Sequence, residues 1–137
     1  MEGIGKSLII PSIKQICDVN RRIIEYSGGD FIPPNNLRDI NSLEYILGAI
    51  SYTVYGYDLF PSLKDKASAL AFQIVYSHVF VDGSKRTGLF IAWEFLHENG
   101  IDIYFDDFSV FDLIVSIAKG KATREELLHW LHHHQSE

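Results

Sequence analysis

The sequence predicts an all-α bundle of six to seven helices, and three observations carry that expectation. Apolar residues recur at helical spacing along almost the whole chain. Polar caps and glycine stops punctuate these stretches at about one helix length. No repeat, low-complexity block or linker divides the 137 residues. They therefore read as one domain over 12–131, with a flexible N-terminus at 1–11 and a C-terminal tail at 132–137.

The first helix follows a Ser12 cap, with Ile13, Ile16, Cys17, Ile23 and Ile24 on one face and Gly28-Gly29 as the stop. Asn20 is a polar exception on that face. A polar loop with Pro33-Pro34 and Asn35-Asn36 leads to a second helix, for which Asn41 and Glu44 have the spacing of a capping box. Residues Tyr52 to Pro61 are aromatic-rich and broken by Gly56 and Pro61, which predicts a short flap rather than a helix. Ser62 with Asp65 opens the third helix, apolar nearly all round from 67 to 76 and so the expected buried centre. The fourth begins near Ser84 and stops at Asn99-Gly100. Ile101 to Phe105 alternates and reads as extended. Val110 to Ile117 marks the fifth helix, ended by Gly120, and Thr123 with Glu126 caps the sixth.

Composition narrows the function classes. Hydrophobic residues are 47% and charged residues 22%, which is ordinary for a globular chain. Twelve Lys plus Arg against 18 Asp plus Glu give a formal charge of −6. That argues against nonspecific nucleic-acid or anionic-membrane binding, both of which need a basic surface. The single cysteine, Cys17, excludes an intrachain disulfide framework and a cysteine zinc cluster. With no apolar run of bilayer length and no signal peptide, a cytoplasmic location is expected.

Chemistry concentrates between the two most apolar helices. From His78 to Arg86 the chain packs an imidazole, a carboxylate, a glycine, a hydroxyl and two adjacent cations into nine residues. Gly83 falls where a helix should start, and free N–H groups there with the helix dipole make an anion site. Lys85 and Arg86 add positive charge for phosphate oxygens. Lys-Arg in a first turn opposes the dipole, which an anionic ligand would explain. Asp82 is suited to a magnesium ion bridging phosphates. His78 continues the Leu70–Ile74 line, so partial shielding is expected, with general-base work as its role. Ordinary turn chemistry accounts for Asp82-Gly83-Ser84 equally well. Base, metal ligand and phosphate cradle are nonetheless the parts of phosphoryl-type transfer.

The run His78-Val79-Phe80-Val81-Asp82-Gly83-Ser84-Lys85-Arg86-Thr87-Gly88 closely resembles the signature of the Fic/Doc family, His-x-Phe-x-Asp/Glu-Gly/Ala-Asn-Gly/Lys-Arg. Phe60-Pro61-Ser62-Leu63, Lys66 to Leu70, Phe95 to Gly100 and Glu126 to Leu131 extend the resemblance, which points to the short Doc-type (death-on-curing) toxin branch. It implies a compact Fic/Doc-type bundle that moves part of a nucleotide onto a target hydroxyl. It makes His78 the base and Asp82 the ligand of Mg²⁺. Gly83, Ser84, Lys85 and Arg86 become the nucleotide- and phosphate-binding residues, and Phe80 the buried anchor of the loop. Ser84 stands where the family has Asn, and Leu89 where the adenylylating branch has a second Arg. The Doc branch implies ATP as substrate and transfer of its γ-phosphate to a Ser or Thr, with elongation factor Tu as the branch's target. AMP transfer is the alternative. A catalytically weak binding module is another, because of Ser84. In the family the flap docks the target as an added strand, here with Tyr55, Gly56, Tyr57 and Phe60, unless those aromatics simply pack on the bundle. No self-inhibiting Ser/Thr-x-x-x-Glu-Gly/Asn motif is present, which implies a small antitoxin acting in trans.

Three other signals are set aside. Gly3-Ile4-Gly5-Lys6-Ser7 looks like the end of a P-loop, but no strand precedes it. His129 and His133 lack a third ligand. Cys17 lies on the apolar face of its helix and reads as core.

Overall fold

The computed structural model describes residues 7–52 and 57–136. They form six helices in the order α1 (Ile13–Ser27), α2 (Ile40–Ser51), α3 (Leu63–Tyr76), α4 (Ser84–Glu98), α5 (Ser109–Ala118) and α6 (Arg124–His132). Extended pairing among the described residues is limited to isolated bridges, Leu37 with Phe80 and Ile103 with Gln135. The all-α expectation holds. None of these helices is long and apolar enough to cross a membrane.

Helix α3 sits at the centre because two apolar clusters share it. Ala67, Ala71 and Val75 join residues of α4, α5 and α6, including Phe95, Leu96, Ile114 and Leu127. Ala69, Leu70 and Ile74 join Ile16, Leu43, Ile46, Ile50 and Ile91 from α1, α2 and α4. Small residues let α3 and α4 approach closely. A Cβ on Gly88 would come within 2.7 Å of Val75 Cγ2 and 3.2 Å of the Ala71 carbonyl oxygen. This contact holds the start of α4, and hence the motif loop, rigidly against the core.

Reciprocal capping boxes start α1 (Ser12/Gln15), α3 (Ser62/Asp65) and α6 (Thr123/Glu126). Each such cap contributes about 1 kcal/mol. The α2 cap is Asp39 rather than the expected Asn41. Its Oδ1 accepts from Ser42 N–H at 3.1 Å, so the helix begins two residues earlier.

Where they are described, both chain ends make specific backbone contacts with the bundle. The Asn99 side-chain amide captures Ile9 as a peptide would, accepting from its N–H (3.0 Å) and donating to its carbonyl (2.9 Å). At the other end Tyr104 donates to the His134 carbonyl (2.8 Å) and Ser136 to the Asp102 carbonyl (2.7 Å). The His134 ring stacks on Trp130 at 3.8 Å. The tail thus supplies an edge for the extended 101–105 stretch, whose backbone groups would otherwise lack partners.

Candidate active site

The motif loop connects α3 to α4, and its path is set by how α3 ends. His78 donates to the Val75 carbonyl and Val79 to the Ile74 carbonyl, both at 3.2 Å. These are the paired bonds of a Schellman closure, with Val79 and Ile74 buried together in one cluster. The closure puts His78 at the left-handed position, φ +49°, where glycine is the usual occupant. A non-glycine residue there costs about 1 kcal/mol. The expected shielding of His78 is therefore corrected. The chain leaves the helix before His78, Val79 takes the inward place, and the imidazole is exposed.

Past His78 the loop is stitched to residues 36–39. The Val79 carbonyl accepts from Arg38 (2.7 Å) and Asp39 (3.0 Å), and Val81 donates to the Asn36 carbonyl (2.8 Å). Phe80 is 2% exposed and packs with the α1–α2–α3 cluster. The Ser84 hydroxyl is buried and turned back on the loop. It accepts from Phe80 N–H at 2.9 Å and donates to the Phe80 carbonyl at 3.2 Å. Ser84, expected among the phosphate-binding residues, can serve there only through its backbone N–H, because its hydroxyl is a clamp on Phe80.

Gly83 caps α4 in the left-handed conformation, φ +81°. A side chain there would be strained, and its Cβ would lie 3.0 Å from Asn20 Nδ2. No side chain caps α4 and its first turn holds no acid. Its first helical bond runs from Thr87 N–H to the Gly83 carbonyl, so the N–H groups of Ser84, Lys85 and Arg86 have no helical acceptor. Lys85 is exposed and makes no ion pair among the described residues. Arg86 is held by the end of α1, donating to the Ser27 hydroxyl and to the Gly28 carbonyl (3.0 Å), with Asp82 3.7 Å away. The result is a fixed concentration of donors and positive charge at one helix end.

Asp82 flanks this turn. Its Oδ2 accepts from Asp30 N–H (2.9 Å) and its Oδ1 from Gly83 N–H (2.7 Å). The Asp30 hydrogen bond, ahead of the Gly83 bond and the charges of Arg86 and Lys85, holds its carboxyl below the usual carboxylate range. Each oxygen keeps a further lone pair, and the side chain is 40% exposed. One hard carboxylate of this kind fits Mg²⁺ that arrives with phosphates and keeps several waters. Among the described residues no cluster of three or more His, Cys, Asp or Glu side chains stands ready to hold a metal alone.

Two other features border the site. An apolar groove of about 560 Å³ runs from Lys85 and Arg86 between α4 and α5, past Phe90, Trp93, Phe111 and Val115. On the flap, Tyr55 and Gly56 lie outside the described residues. Tyr57 is 77% exposed. Phe60 is half-buried against the core with the Arg124 guanidinium 5.1 Å over its ring, and reads as the flap's anchor. Buried Lys66 ties the same segment down through Asp58 (2.9 Å).

The profile of the Fic/DOC family matches residues 11–96, from the start of α1 through nearly all of α4. The chain belongs to the Fic/DOC family. A curated relative, Toxin Doc of Mycolicibacterium smegmatis, is 43% identical over 70 residues. That match covers 51% of this chain and 54% of the relative, so it spans about half of each. The matched residues take in α1 to α3, the motif loop and most of α4, including the reversed Ser84 hydroxyl and the strained His78.

Sequence reasoning missed three contributors. Asp30 sits 52 residues from the carboxylate it binds. Asn20 and Asn36 donate to the Asp82 carbonyl from α1 and from the loop before α2. Only Asn20 left a trace in the sequence, as the polar residue on an apolar face.

Proposed function

We propose that this chain transfers the γ-phosphate of ATP to a Ser or Thr hydroxyl of a target protein, as a Doc-type toxin. The observation that carries the reading is the start of α4: uncapped, free of acids, led by a left-handed glycine and followed by Lys85 and Arg86. Donors left unpaired beside two cations suit phosphate oxygens, which bind backbone N–H groups and guanidinium together.

In this reading the exposed His78 takes the proton from the target hydroxyl. The hydroxyl oxygen attacks the γ-phosphorus, the bond to the β–γ bridging oxygen breaks, and ADP leaves. The N–H groups of Ser84, Lys85 and Arg86, with both cationic side chains, hold the oxygens on which charge builds. Asp82 would hold Mg²⁺, which when bound neutralises phosphate charge. The exposure of His78 lets a protein-borne hydroxyl reach it. Tyr57 on the flap is a contact for that polypeptide. A target in the translation machinery such as elongation factor Tu, a small antitoxin in trans and a cytoplasmic location complete the proposal. The named relative is itself called a toxin.

A second reading, AMP transfer, draws on the groove. An apolar trough lined by Lys85 and Arg86 themselves would seat a base one ribose away from the bound phosphate. In that pose the α-phosphate would lie at the helix start. Leu89, in place of a second Arg, counts against it.

The deciding experiment incubates the protein with Mg²⁺, a cell lysate and ATP labelled at either the α or the γ position, with His78→Ala alongside. Label on a lysate protein from γ only, lost in the variant, is the expected result. Label from α establishes AMP transfer instead. ATP binding without transfer points to a binding module.

A further inference from the structure

Beneath the phosphate site lies a closed polar cluster inside an apolar core. Asn20 and Thr87 are fully buried and Asn36 is 1% exposed. The Asn20 amide donates to the Asp82 carbonyl (2.9 Å) and to Thr87 Oγ1 (3.1 Å). The Asn36 amide donates to Asn20 Oδ1 (3.0 Å) and to the same Asp82 carbonyl (3.3 Å). Asn36 Oδ1 accepts from Ile32 N–H at 2.8 Å. No buried side-chain nitrogen or oxygen among the described residues lacks a partner. Three segments therefore meet at one carbonyl, α1, the 32–39 loop and the motif loop, and α4 joins them through the Thr87–Asn20 bond.

That carbonyl controls the site through the geometry of the peptide bond. C=O and N–H of a trans peptide face opposite ways. With the Asp82 oxygen held inward by two asparagines, Gly83 N–H must face outward, where it meets Asp82 Oδ1 at 2.7 Å. The same peptide leads directly into the free first turn of α4.

We propose that Asn20 and Asn36 are positioning residues: by holding the Asp82 carbonyl inward, they fix the Asp82–Gly83 peptide and thereby aim the Asp82 carboxylate and the start of α4 at the ligand. A buried network that is fully satisfied adopts one arrangement, and losing a member releases it. The nucleotide arm of the test rests on the phosphoryl-transfer reading, while the Gly83 amide arm does not.

The test follows three quantities in each variant: the ¹⁵N–¹H signal and hydrogen exchange of Gly83, the Kd for Mg·ATP, and the melting temperature. Asn20→Ala should move the Gly83 signal, speed its exchange and weaken Mg·ATP about tenfold. Asn36→Gly, which keeps the left-handed backbone at φ +59°, should weaken Mg·ATP about threefold. Thr87→Val should act like Asn20→Ala in milder form, and Thr87→Ser should restore wild-type values. Ser68→Ala, a buried hydroxyl in the first half of α3 and so at the end away from the motif loop, should lower the melting temperature with Gly83 and Kd unchanged. The proposal is overturned if the Asn variants melt lower but leave the Gly83 signal and Kd as in wild type, or if Ser68→Ala moves them equally. If Asn20→Ala does not fold, Asn36→Gly and the Thr87 pair decide. If wild type fails to bind Mg·ATP, the phosphoryl-transfer reading falls while Gly83 still decides the positioning role.

Discussion

Helices α3 and α4 form the centre of the molecule and pack against each other, yet they begin in opposite ways. At the start of α3, Ser62 and Asp65 cap each other reciprocally, with Ser62 Oγ accepting from Asp65 N–H at 2.9 Å. The acid suits the dipole, and the turn has little need of a ligand. At the start of α4 a hydroxyl also sits close by, on Ser84, but it is spent on Phe80. The first turn is left with its donors free and two cations beside them. The chain evidently can cap a helix well, since it does so at Ser12, Ser62 and Thr123. On the proposed phosphate-binding reading, the open start of α4 is where stability yields to binding, whereas α5, also without a side-chain cap bond, carries Asp112 in its first turn. The end of α3 repeats the pattern, with His78 where glycine would be easier.

The sharpest way to test this contrast is at His78. His78→Gly removes both the base and the left-handed strain. Transfer should fall by about 10²–10⁴-fold, while the melting temperature stays at or above wild type and above that of His78→Ala by roughly 1 kcal/mol equivalent. Transfer assays and thermal melts on the three proteins check this. A glycine variant less stable than the alanine variant would contradict the strain assignment.

Next in size is Lys85→Glu, which gives α4 an α3-like first turn. Mg·ATP should bind about tenfold more weakly or worse, because one cation at the phosphates becomes an anion. Stability should hold or rise by about 0.3–1 kcal/mol, since the acid suits the dipole. Calorimetric titration with a parallel melt separates the two, and a fall in both would mean that Lys85 has a structural partner. The converse change, Ser62→Ala, should cost about 1 kcal/mol in a denaturant melt and leave Mg·ATP affinity unaltered.

The smallest effect concerns the far end of α4. His97 Nδ1 lies 2.7 Å from Asp102 Oδ1, and that hydrogen bond raises the imidazole above its ordinary range. A raised folded value means the contribution is present in full below the ordinary histidine range and is lost as pH rises through the folded value. Wild type should therefore lose a little stability relative to His97→Gln across that window, with ATP affinity insensitive to the change. A pH series of melts on both proteins reads it.

Much of this architecture was legible in the sequence because local rules carry it. Apolar spacing marks all six helices, and three of the four clearest caps are capping boxes written within four residues. The motif was legible for the same reason, being contiguous from His78 to Arg86. What was hidden depends on chain reversal or on distance. Nothing in Ser77-His78-Val79 signals a Schellman closure, since its usual glycine is absent, so His78 reads as helical and shielded. Ser84 reads as a phosphate donor until the loop is closed and its hydroxyl is seen to reach back to Phe80. Asp30, Asn20 and Asn36 join Asp82 only through tertiary packing. The α2 cap was misplaced because Asp39 and Asn41 are both good caps, and the loop's pairing with Val79 selects the earlier one.

The most direct measurement is a Mg·ATP titration of ¹⁵N-labelled protein followed at every backbone amide. The signals of Ser84, Lys85 and Arg86 should shift together and saturate with Gly83, while those of Leu63, Lys64 and Asp65 stay in place. Saturating shifts confined to other parts of the molecule, with the start of α4 unmoved, would contradict the account.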